Sequence, residues 1–538
     1  MTKSLADRRS MPQALYTAAA VRELDRIAIE ESGIPGISLM RRAALACAEV
    51  AEQRWPEAKS VHVFCGNGNN AGDGYLLAGL LAQRGLNVVA IVVGDVKKLG
   101  GDASMAYRFC EQSAASIEPL GEAAFVTGAS LIVDALLGTG LSGPVRPGFA
   151  DVINRINEQS RTESIPVLSV DVPSGLSVDS GRVLGVAIRA TATVTFIGVK
   201  RGLVTDDGCD TTGELYFDDL GVPETVLQQV PTTLSRLSNG RLEGLLPRRP
   251  KNSHKNRFGH VLVVGGDEGM GGAVAMSAEA ALRTGAGLVS VATHPAHAQS
   301  LLVRMPELMV RGVALASEAA DSANGARGSE SLTELVNQSS VVVLGPGLGK
   351  SVWSREMFHH VMRLTGENEI PVVIDADGLN LLSSETEKRD NWVLTPHPGE
   401  ASRLAAGLEA HSKVGTAAEV VGEFAQAALD RFSMCHLLQR HLGGVVVLKG
   451  AGSLIGDGDQ ISVCPYGNPG MSSAGMGDVL SGVVGSLLGQ GLSVGDAARL
   501  AVTMHAIAGD RAVAVPGERG LVATDLIPQL RKLANEYG

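Results

Sequence analysis

Four residues, Gly475-Met476-Gly477-Asp478, form the pattern in this sequence that is most typical of chemistry. They directly precede an apolar run, residues 479–488, which is predicted to be a helix. Free backbone N–H groups at a glycine-rich helix start can neutralise a transferring phosphoryl group, and a carboxylate there can take the proton of a substrate hydroxyl. The pattern therefore predicts phosphoryl transfer with Asp478 as general base. The plainer interpretation is that Asp478 only caps the helix.

Glycine-rich or polar loops follow other predicted strands in the second half of the chain. The segment KGAGS (449–453) has the form of a nucleotide contact, and His397 lies between two prolines that hold its loop rigidly. A single histidine is nevertheless more often structural. The segments 265–272, 345–349 and 375–380 follow three more strands. Because ligands of open parallel sheets bind at the carboxyl ends of strands, these loops predict one site.

Three loops of the first half carry oxygen-rich side chains. Residues 66–74 read GNGNNAGDG, and two further loops begin at Asp134 and Asp171. The glycines allow close approach of a ligand, and the helix start after the first loop offers N–H groups to an anion. Carboxylate, amide and hydroxyl oxygens suit an alkali or alkaline-earth cation, and a single carboxylate among neutral oxygens favours a monovalent one. Each aspartate alone is also compatible with a turn or a helix cap.

The elements that must position these loops are continuous apolar strands alternating with helices. This pattern predicts a parallel sheet covered on both faces, once in each half of the chain. The predicted strands are 61–65, 88–93, 131–137, 166–172 and 193–197 in the first half, and 260–266, 288–293, 340–347, 371–378, 391–400 and 444–452 in the second. A helix is predicted over 17–31, capped by Thr17, with Val21, Leu24 and Ala28 on one face.

The alternation of apolar strands and helices stops near residue 224, which divides the chain in two. At 538 residues the chain is long enough for two large domains. The prediction is an α/β protein of two domains, 1–225 and 248–538, joined by a linker over 226–247. The first domain is expected to be a Rossmann-like doubly wound sheet. The basic run after the linker includes Arg249 and could attract phosphates, but a solvated connection is the favoured interpretation.

Composition excludes several classes of function. A net charge of −11 argues against a nucleic-acid partner. The six cysteines are scattered without a CxxC pair, which predicts neither a zinc nor a redox motif and favours a reducing cytoplasmic location. The N-terminus lacks the shape of a signal peptide, and the longest uncharged run, 479–495, is too short to span a membrane. We therefore expect no membrane partner.

The motifs GNGNNAGDG, DALLGTGLSGPVR and SVDVPSG resemble the NAD(P)H-hydrate epimerase domain, and the resemblance extends from about residue 16 to residue 223. It implies a K⁺ ion held by Asn70, Asp134 and Ser174, and a catalytic Asp171 that contacts the substrate. Alanine at Ala71 departs from the family's usual glycine. The other residues that the resemblance assigns to the hydrated nicotinamide nucleotide are Asn69, Asn70, Ala71, Gly72, Asp73, Gly138, Thr139, Gly140, Leu141, Ser142, Gly143 and Pro144.

The motifs NPGMSSAGMGDVLSG, TPHPGEASRL, GPGLG and DADGLN resemble the ribokinase-like fold, and more narrowly the ADP/ATP-dependent NAD(P)H-hydrate dehydratases, from about residue 248 onward. The resemblance implies that the hydrate is bound by Ala273, Gly347 or Gly349, His397 and Asp478. It implies that the adenine nucleotide is bound by Lys449, Gly450, Ala451, Gly452, Ser453 and Gly477, with Mg²⁺ on the phosphates.

The two halves together resemble the bacterial bifunctional NAD(P)H-hydrate repair enzymes. The resemblance implies epimerisation of the R and S hydrates (NADHX and NADPHX). It also implies dehydration of the S form to NAD(P)H with ADP, which gives AMP and phosphate. The alternative is a kinase of a small alcohol, such as a hydroxymethylpyrimidine or a sugar, fused to a regulatory binding domain. We also expect a cytoplasmic homo-oligomer.

Overall fold

The computed structural model of the chain consists of two compact units, Met1–Arg236 and Leu237–Gly538. It describes residues 10–125, 128–242, 244–314, 327–385, 387–411, 424, 427–428 and 430–537. The division between the units falls inside the predicted linker 226–247. The domain limits 1–225 and 248–538 stay predictions.

The first unit contains a seven-stranded sheet in which all the paired strands are parallel. The five predicted strands are present, and two edge strands were missed. Ser116–Pro119 is largely exposed and Glu214–Asp218 alternates in burial, so neither is a continuous apolar run. The spatial order is Ser116–Pro119, Asn87–Val92, Ser60–Cys65, Leu131–Ala135, Val167–Val170, Ala192–Phe196 and Glu214–Asp218.

Helices cover both faces of this sheet. Side chains of strand Ser60–Cys65 alternate between two apolar cores, with Val63 in the core shared with helix Asn69–Gln83 and Phe64 in the core shared with helix Pro147–Glu163. The other helices of the unit are Ala18–Arg26, Gly36–Arg54, Gly101–Glu111, Gly208–Thr211 and Glu224–Gln229. Short strands Leu15–Tyr16 and Val199–Lys200 pair in parallel, and Leu234–Arg236 lies at the end of the unit.

The predicted first helix is present in two parts. Thr17 caps it by accepting a hydrogen bond from the backbone N–H of Ala20 at 3.2 Å. The α-helix Ala18–Arg26 continues as a π-helical turn, Ile27–Glu31. Val21, Leu24 and Ala28 are all buried, which confirms the predicted apolar face.

The glycine-rich segment 66–74 is only partly a loop, and the prediction that all of it precedes the helix is wrong. The helix begins at Asn69. A Cβ atom on Gly72 would lie 2.7 Å from Met40 Sδ, and one on Gly74 would lie 2.5 Å from Ala135 Cβ. Close packing against these neighbours therefore requires glycine inside the helix, in spite of its low helix propensity.

The second unit contains nine strands in one sheet, six of which were predicted. Those six and Met309–Gly312 pair in parallel. Strands Ser453–Asp457 and Gln460–Cys464 form an antiparallel hairpin that extends the sheet, so the prediction of a wholly parallel sheet is incomplete. The spatial order is Gln460–Cys464, Ser453–Asp457, Val445–Leu448, Trp392–Leu394, Val372–Ile374, Val341–Leu344, His260–Val264, Leu288–Thr293 and Met309–Gly312.

Helix Met476–Gly489 is buried along most of its length, as expected of the apolar run at 479–488. Among the described residues, no helix is both long and apolar enough to cross a membrane. The other helices of the unit are Asn239–Leu242, Gly271–Thr284, Ala298–Arg304, Arg327–Gln338, Val352–Glu367, Asp377–Leu382, Pro398–His411, Arg431–Leu442, Val494–Val513 and Leu526–Glu536.

Arg249, from the basic run, has a structural role. Its guanidinium lies 3.8 Å from the ring centroid of Phe258 and donates hydrogen bonds to the carbonyl of Gly285 and to Gln490 Oε1. Gly285 and Gln490 cap the carboxyl ends of helices Gly271–Thr284 and Met476–Gly489, where a positive charge is favourable. These contacts agree with the favoured interpretation, in which the basic run is part of the connection and does not bind phosphate.

Candidate active sites

A cleft of about 820 Å³ lies at the carboxyl ends of the strands of the first unit. Of the predicted substrate residues, Asn69, Asn70, Asp73, Gly138, Thr139, Gly140, Leu141, Ser142, Gly143, Pro144 and Asp171 line it. Ala71 and Gly72 do not line the cleft and are buried in the unit. The methyl group of Ala71 therefore packs in the core, and its departure from the family pattern leaves the cleft unchanged.

Asp134 is fully buried and accepts four hydrogen bonds. Its Oδ2 accepts from Ser169 Oγ at 2.9 Å and from Ser174 N at 2.8 Å. Its Oδ1 accepts from Ser174 Oγ at 2.5 Å and from Leu136 N at 3.3 Å. The carboxylate therefore joins the ends of neighbouring strands beneath the cleft.

Asn70 adds an oxygen beside this cluster. Its Nδ2 donates to the carbonyl of Leu137 at 3.0 Å, and Ser174 Oγ lies 3.2 Å from the same carbonyl oxygen. Asn70 Oδ1 is buried and has no hydrogen-bond partner among the residues that the structure describes. In the described part of the chain, no group of three or more His, Cys, Asp or Glu side chains is placed to hold a metal. The donors that converge here are thus mainly neutral oxygens, which fit a monovalent cation better than a transition metal.

Asp171 follows strand Val167–Val170 in the left-handed backbone region, with φ of +64°. Its Oδ1 accepts hydrogen bonds from Thr195 Oγ1 at 3.2 Å and Phe196 N at 3.3 Å. It also forms an ion pair with Lys200. This arrangement orients the carboxylate at the cleft wall, where it can accept a proton.

The GMGD turn of the second unit begins helix Met476–Gly489, with Gly475 at φ of +91°. The N-cap of this helix is Gly475, so Asp478 is a residue of the first turn and not the cap residue. Burial, followed by the negative charge of Asp375, raises the pKa of Asp478 to about 7. A carboxylate with this pKa is suited to general-base work near neutral pH.

Lys449 lies directly beside this turn. Its Nζ is 2.8 Å from Asp375 Oδ1 and 3.8 Å from Glu400 Oε2. A Cβ atom on Gly477 would lie 3.1 Å from the same nitrogen, so glycine is needed for this approach. The nearby carboxylates outweigh the cost of burial and raise the pKa of Lys449. The site therefore keeps a fixed positive charge next to the helix start.

His397 is the more exposed part of this cluster, with 51% of its side chain exposed. Its backbone N–H donates to Glu400 Oε2 at 2.8 Å, and its Nδ1 accepts from Gly399 N at 3.0 Å. Its Nε2 lies 3.4 Å from Glu400 Oε1. Glu400 lies close to both His397 and Lys449, so His397 belongs to the same site as Lys449 and Asp478.

The KGAGS segment turns tightly after strand Val445–Leu448. Gly450 N donates to Ser453 Oγ at 3.2 Å, and Arg431 donates to the carbonyls of Ala451 and Lys449. Gly450 and Gly452 both have positive φ. Arg431 therefore holds the shape of the predicted nucleotide loop.

Ala273, Gly347 and Gly349 form another part of the site. A Cβ atom on Gly347 would lie 3.0 Å from Ala273 Cβ. Gly349 N donates to Asp377 Oδ2 at 2.9 Å. Among the described residues, the N–H of Gly347 has no hydrogen-bond partner. The two glycines thus differ in whether their N–H group is free to bind a ligand.

Four residues without a role predicted from the sequence lie at these sites: Asp25, Lys200, Glu400 and Arg431. Asp375 belongs to the predicted site segment 375–380 and directly follows a buried strand, as expected, although no role was predicted for it. The others lie in helices or in a two-residue strand, where no local pattern marks them.

Comparisons with known proteins agree with this division into two sites. A family model described as NAD(P)H-hydrate dehydratase matches residues 261–532, and a model described as YjeF-related protein N-terminus matches residues 36–202. A bifunctional NAD(P)H-hydrate repair enzyme Nnr of Coxiella burnetii is 46% identical over 522 residues, which cover 97% of this chain and 99% of that protein.

The protein of the same name from Escherichia coli is 38% identical over 528 residues, with 98% of this chain and 95% of that protein covered. Among solved structures, a ribokinase-like superfamily protein from Enterococcus faecalis aligns with a TM-score of 0.47 and 27% identity. The alignment covers 57% of this chain and 98% of that chain.

Proposed function

Because the chain belongs to the family of bifunctional NAD(P)H-hydrate repair enzymes, we propose that the cleft of the first unit is its epimerase site and the GMGD region its dehydratase site. The chain is an NAD(P)H-hydrate epimerase and dehydratase. This membership does not favour the alternative of a small-alcohol kinase with a regulatory domain. A homo-oligomeric state and a cytoplasmic location stay predictions.

Asp478 is the general base for phosphorylation of the S hydrate. It takes the proton of the hydroxyl on C6 as that oxygen attacks the terminal phosphorus of the nucleotide. Phosphate then leaves C6 far more readily than hydroxide would, and loss of a C5 proton restores the reduced nicotinamide. The helix N–H groups and Lys449 stabilise the charge on the transferring group. The observation that carries this assignment is the position of Asp478 in the first turn of this helix, beside the Lys449–Asp375 pair.

The nucleotide is ADP, which fits the family resemblance, and Mg²⁺ enters with it on the phosphate oxygens. The KGAGS loop and Gly477 bind the nucleotide, while Ala273, His397 and Asp478 contact the hydrate. Between the two candidate glycines we favour Gly347. Its N–H has no partner among the described residues, whereas that of Gly349 is bonded to Asp377.

In the epimerase cleft, Asp171 is the base, and K⁺ is held by Asn70, Asp134 and Ser174. The orphaned Asn70 Oδ1 supports a cation there, because a buried carbonyl oxygen without a partner is costly. The ion would supply charge for the substrate phosphates and brace the two loops that line the cleft. The chain's own hydrogen bonds from Ser169, Ser174 and Leu136 orient Asp134 toward this role.

The proposed function is tested by incubating the purified chain with a mixture of R and S hydrates, with ADP or ATP supplied separately. We expect ADP to restore the absorbance of the reduced nicotinamide for the whole mixture. Recovery limited to the S fraction would contradict an epimerase in this chain. A stable phosphorylated product without recovery of absorbance would indicate a small-alcohol kinase instead.

Potassium removal should slow epimerisation and leave dehydration of the S hydrate unchanged. When tetramethylammonium replaces K⁺, we expect hydrate binding to the cleft to weaken by about 2 kcal/mol, or about 30-fold, and added K⁺ to restore it. The measurement is titration of the hydrate together with the rate of S-to-R conversion.

Asp134→Asn should reproduce this loss, and added K⁺ should not rescue the variant. Asparagine is the informative change because it keeps the size of the side chain and one of the two acceptor oxygens, whereas alanine would leave Ser169, Ser174 N and Leu136 N all without an acceptor. Epimerisation that is indifferent to K⁺ in the wild type would leave Asp134 as a structural residue only.

A further inference from the structure

Epimerisation needs a proton donor as well as a base, and Lys200 does not supply it. Lys200 is 1% exposed, and its Nζ donates to Thr195 Oγ1 at 3.1 Å, to the carbonyl of Phe196 at 3.0 Å and to Asp171. All three of its protons are therefore in use within the protein. Lys200 instead holds the side chain of Asp171 in place in the cleft wall through their ion pair.

Two other carboxyl groups, Asp25 and Asp73, line the same cleft. They come from helices Ala18–Arg26 and Asn69–Gln83, and neither has a hydrogen bond or ion pair with another described residue. Burial is the main cause that raises the pKa of both groups, that of Asp25 to about 6. The negative charge of Asp171 raises both further, Asp25 raises that of Asp73, and Lys200 opposes these effects.

The charges in this cleft favour a protonated carboxyl group. Asp171 acts on both Asp25 and Asp73, Asp25 also acts on Asp73, and Lys200 is the cation that acts on both. The other charged side chains that line the cleft are Arg22, Asp102 and Arg146, so cations do not outnumber carboxylates. A bound nicotinamide nucleotide adds the negative charges of its phosphates, which further favours the protonated form.

We infer that one of the two carboxyl groups Asp25 and Asp73 is protonated and that together they form the acid of the epimerase, in the same cleft as the carboxylate of Asp171. Acid–base catalysis requires one protonated group and one ionised group in the same cleft. The inference rests on the epimerase function proposed for this cleft. It adds Asp25 to the catalytic residues and gives Asp73 a role beyond binding.

The reaction that this pair supports is a reversible opening of the hydrated ring. Asp171 takes the proton of the hydroxyl on C6, the C6–N1 bond breaks, and its electron pair passes to N1. N1 takes the proton from the Asp25–Asp73 pair, and C6 becomes an aldehyde carbon. Rotation about the C5–C6 bond presents the other face of the aldehyde, and the same steps in reverse close the ring. No other reactant is consumed.

The test is the pH dependence of S-to-R conversion by the full-length chain, without nucleotide so that dehydration does not compete. Because the acid must be protonated, the wild-type rate should fall as pH rises through the pKa of the pair. Asp25→Asn removes one negative neighbour of Asp73 and lowers its pKa, so the fall should move to lower pH. Asp73→Asn leaves Asp25, whose pKa burial raises to about 6, as the remaining acid, so the fall should again lie at lower pH than in the wild type. The double variant should lose about 100-fold at every pH.

Glu23→Gln is the matched control, because Glu23 lies on the outer face of the same helix as Asp25 and pairs with Arg26. It should leave the pH profile unchanged. The inference is overturned if either single variant keeps the wild-type pH profile or if the double variant keeps the wild-type rate. An inactive wild-type chain would instead contradict the proposed epimerase function itself.

Discussion

Replacing Asp478 by asparagine should lower the rate of dehydration by about 10²- to 10⁴-fold, the range expected for loss of a general base. Asparagine keeps the size of the side chain and places an amide where the proton must be accepted. The measurement is recovery of the reduced-nicotinamide absorbance from the S hydrate with ADP. Epimerisation of the same preparation should stay at the wild-type rate, because Asp171 and its loops belong to another sheet.

The pH profile separates a base from a structural residue. Because burial and Asp375 raise the pKa of Asp478 to about 7, the wild-type rate should rise with pH through about 7 and then level off. The residual rate of Asp478→Asn should lack this rise. A flat wild-type profile would contradict the role of base.

Asp496 offers a matched control within the same unit. It lies in the first turn of helix Val494–Val513 and bonds to the cap residue Ser493 through both its backbone N–H and its side chain. Asp496→Asn should change the free energy of unfolding by about 1 kcal/mol or less and leave dehydration unchanged. If Asp478→Asn behaves in the same way, Asp478 is only a residue of its helix.

Central strands were predictable from sequence because each is buried on both faces and reads as an unbroken apolar run. Leu131–Ala135 and Leu288–Thr293 are examples. The hairpin of Ser453–Asp457 and Gln460–Cys464 was missed, although Gly458 lies between its two short strands with φ of +58°. Its apolar runs are brief. Strand Ser453–Asp457 pairs with strand Val445–Leu448, and no local sequence pattern predicts this pairing.

The candidate sites were predictable where a functional side chain lies at the carboxyl end of a buried strand. Asp134 is the second-last residue of its strand, and Asp171 and Lys449 directly follow theirs. Parallel strands bring these ends together at one edge of the sheet. Asp25 and Glu400 lie in helices, and Lys200 lies in a two-residue strand. They reach the sites only through tertiary packing, so their sequence neighbourhoods resemble those of any half-buried charged residue.

Lys449→Met should abolish most dehydration for two separable reasons. The variant removes the positive charge that stabilises the transferring phosphoryl group. It also leaves Asp375, which is 1% exposed, buried without its partner at 2.8 Å. Loss of one member of a buried ion pair costs about 3–5 kcal/mol of stability, so the second unit should unfold at a lower denaturant concentration.

The double variant Lys449→Met/Asp375→Asn distinguishes the two effects. Neutralising Asp375 removes the uncompensated charge, so we expect most of the lost stability to return while dehydration stays low. Lys449 lowers the pKa of Asp478 and Asp375 raises it. The single variant should therefore shift the pH profile upward, whereas the two changes in the double variant oppose each other. Recovery of both stability and rate in the double variant would show that Lys449 serves only to neutralise Asp375, and the phosphoryl group would then be stabilised by the helix N–H groups alone.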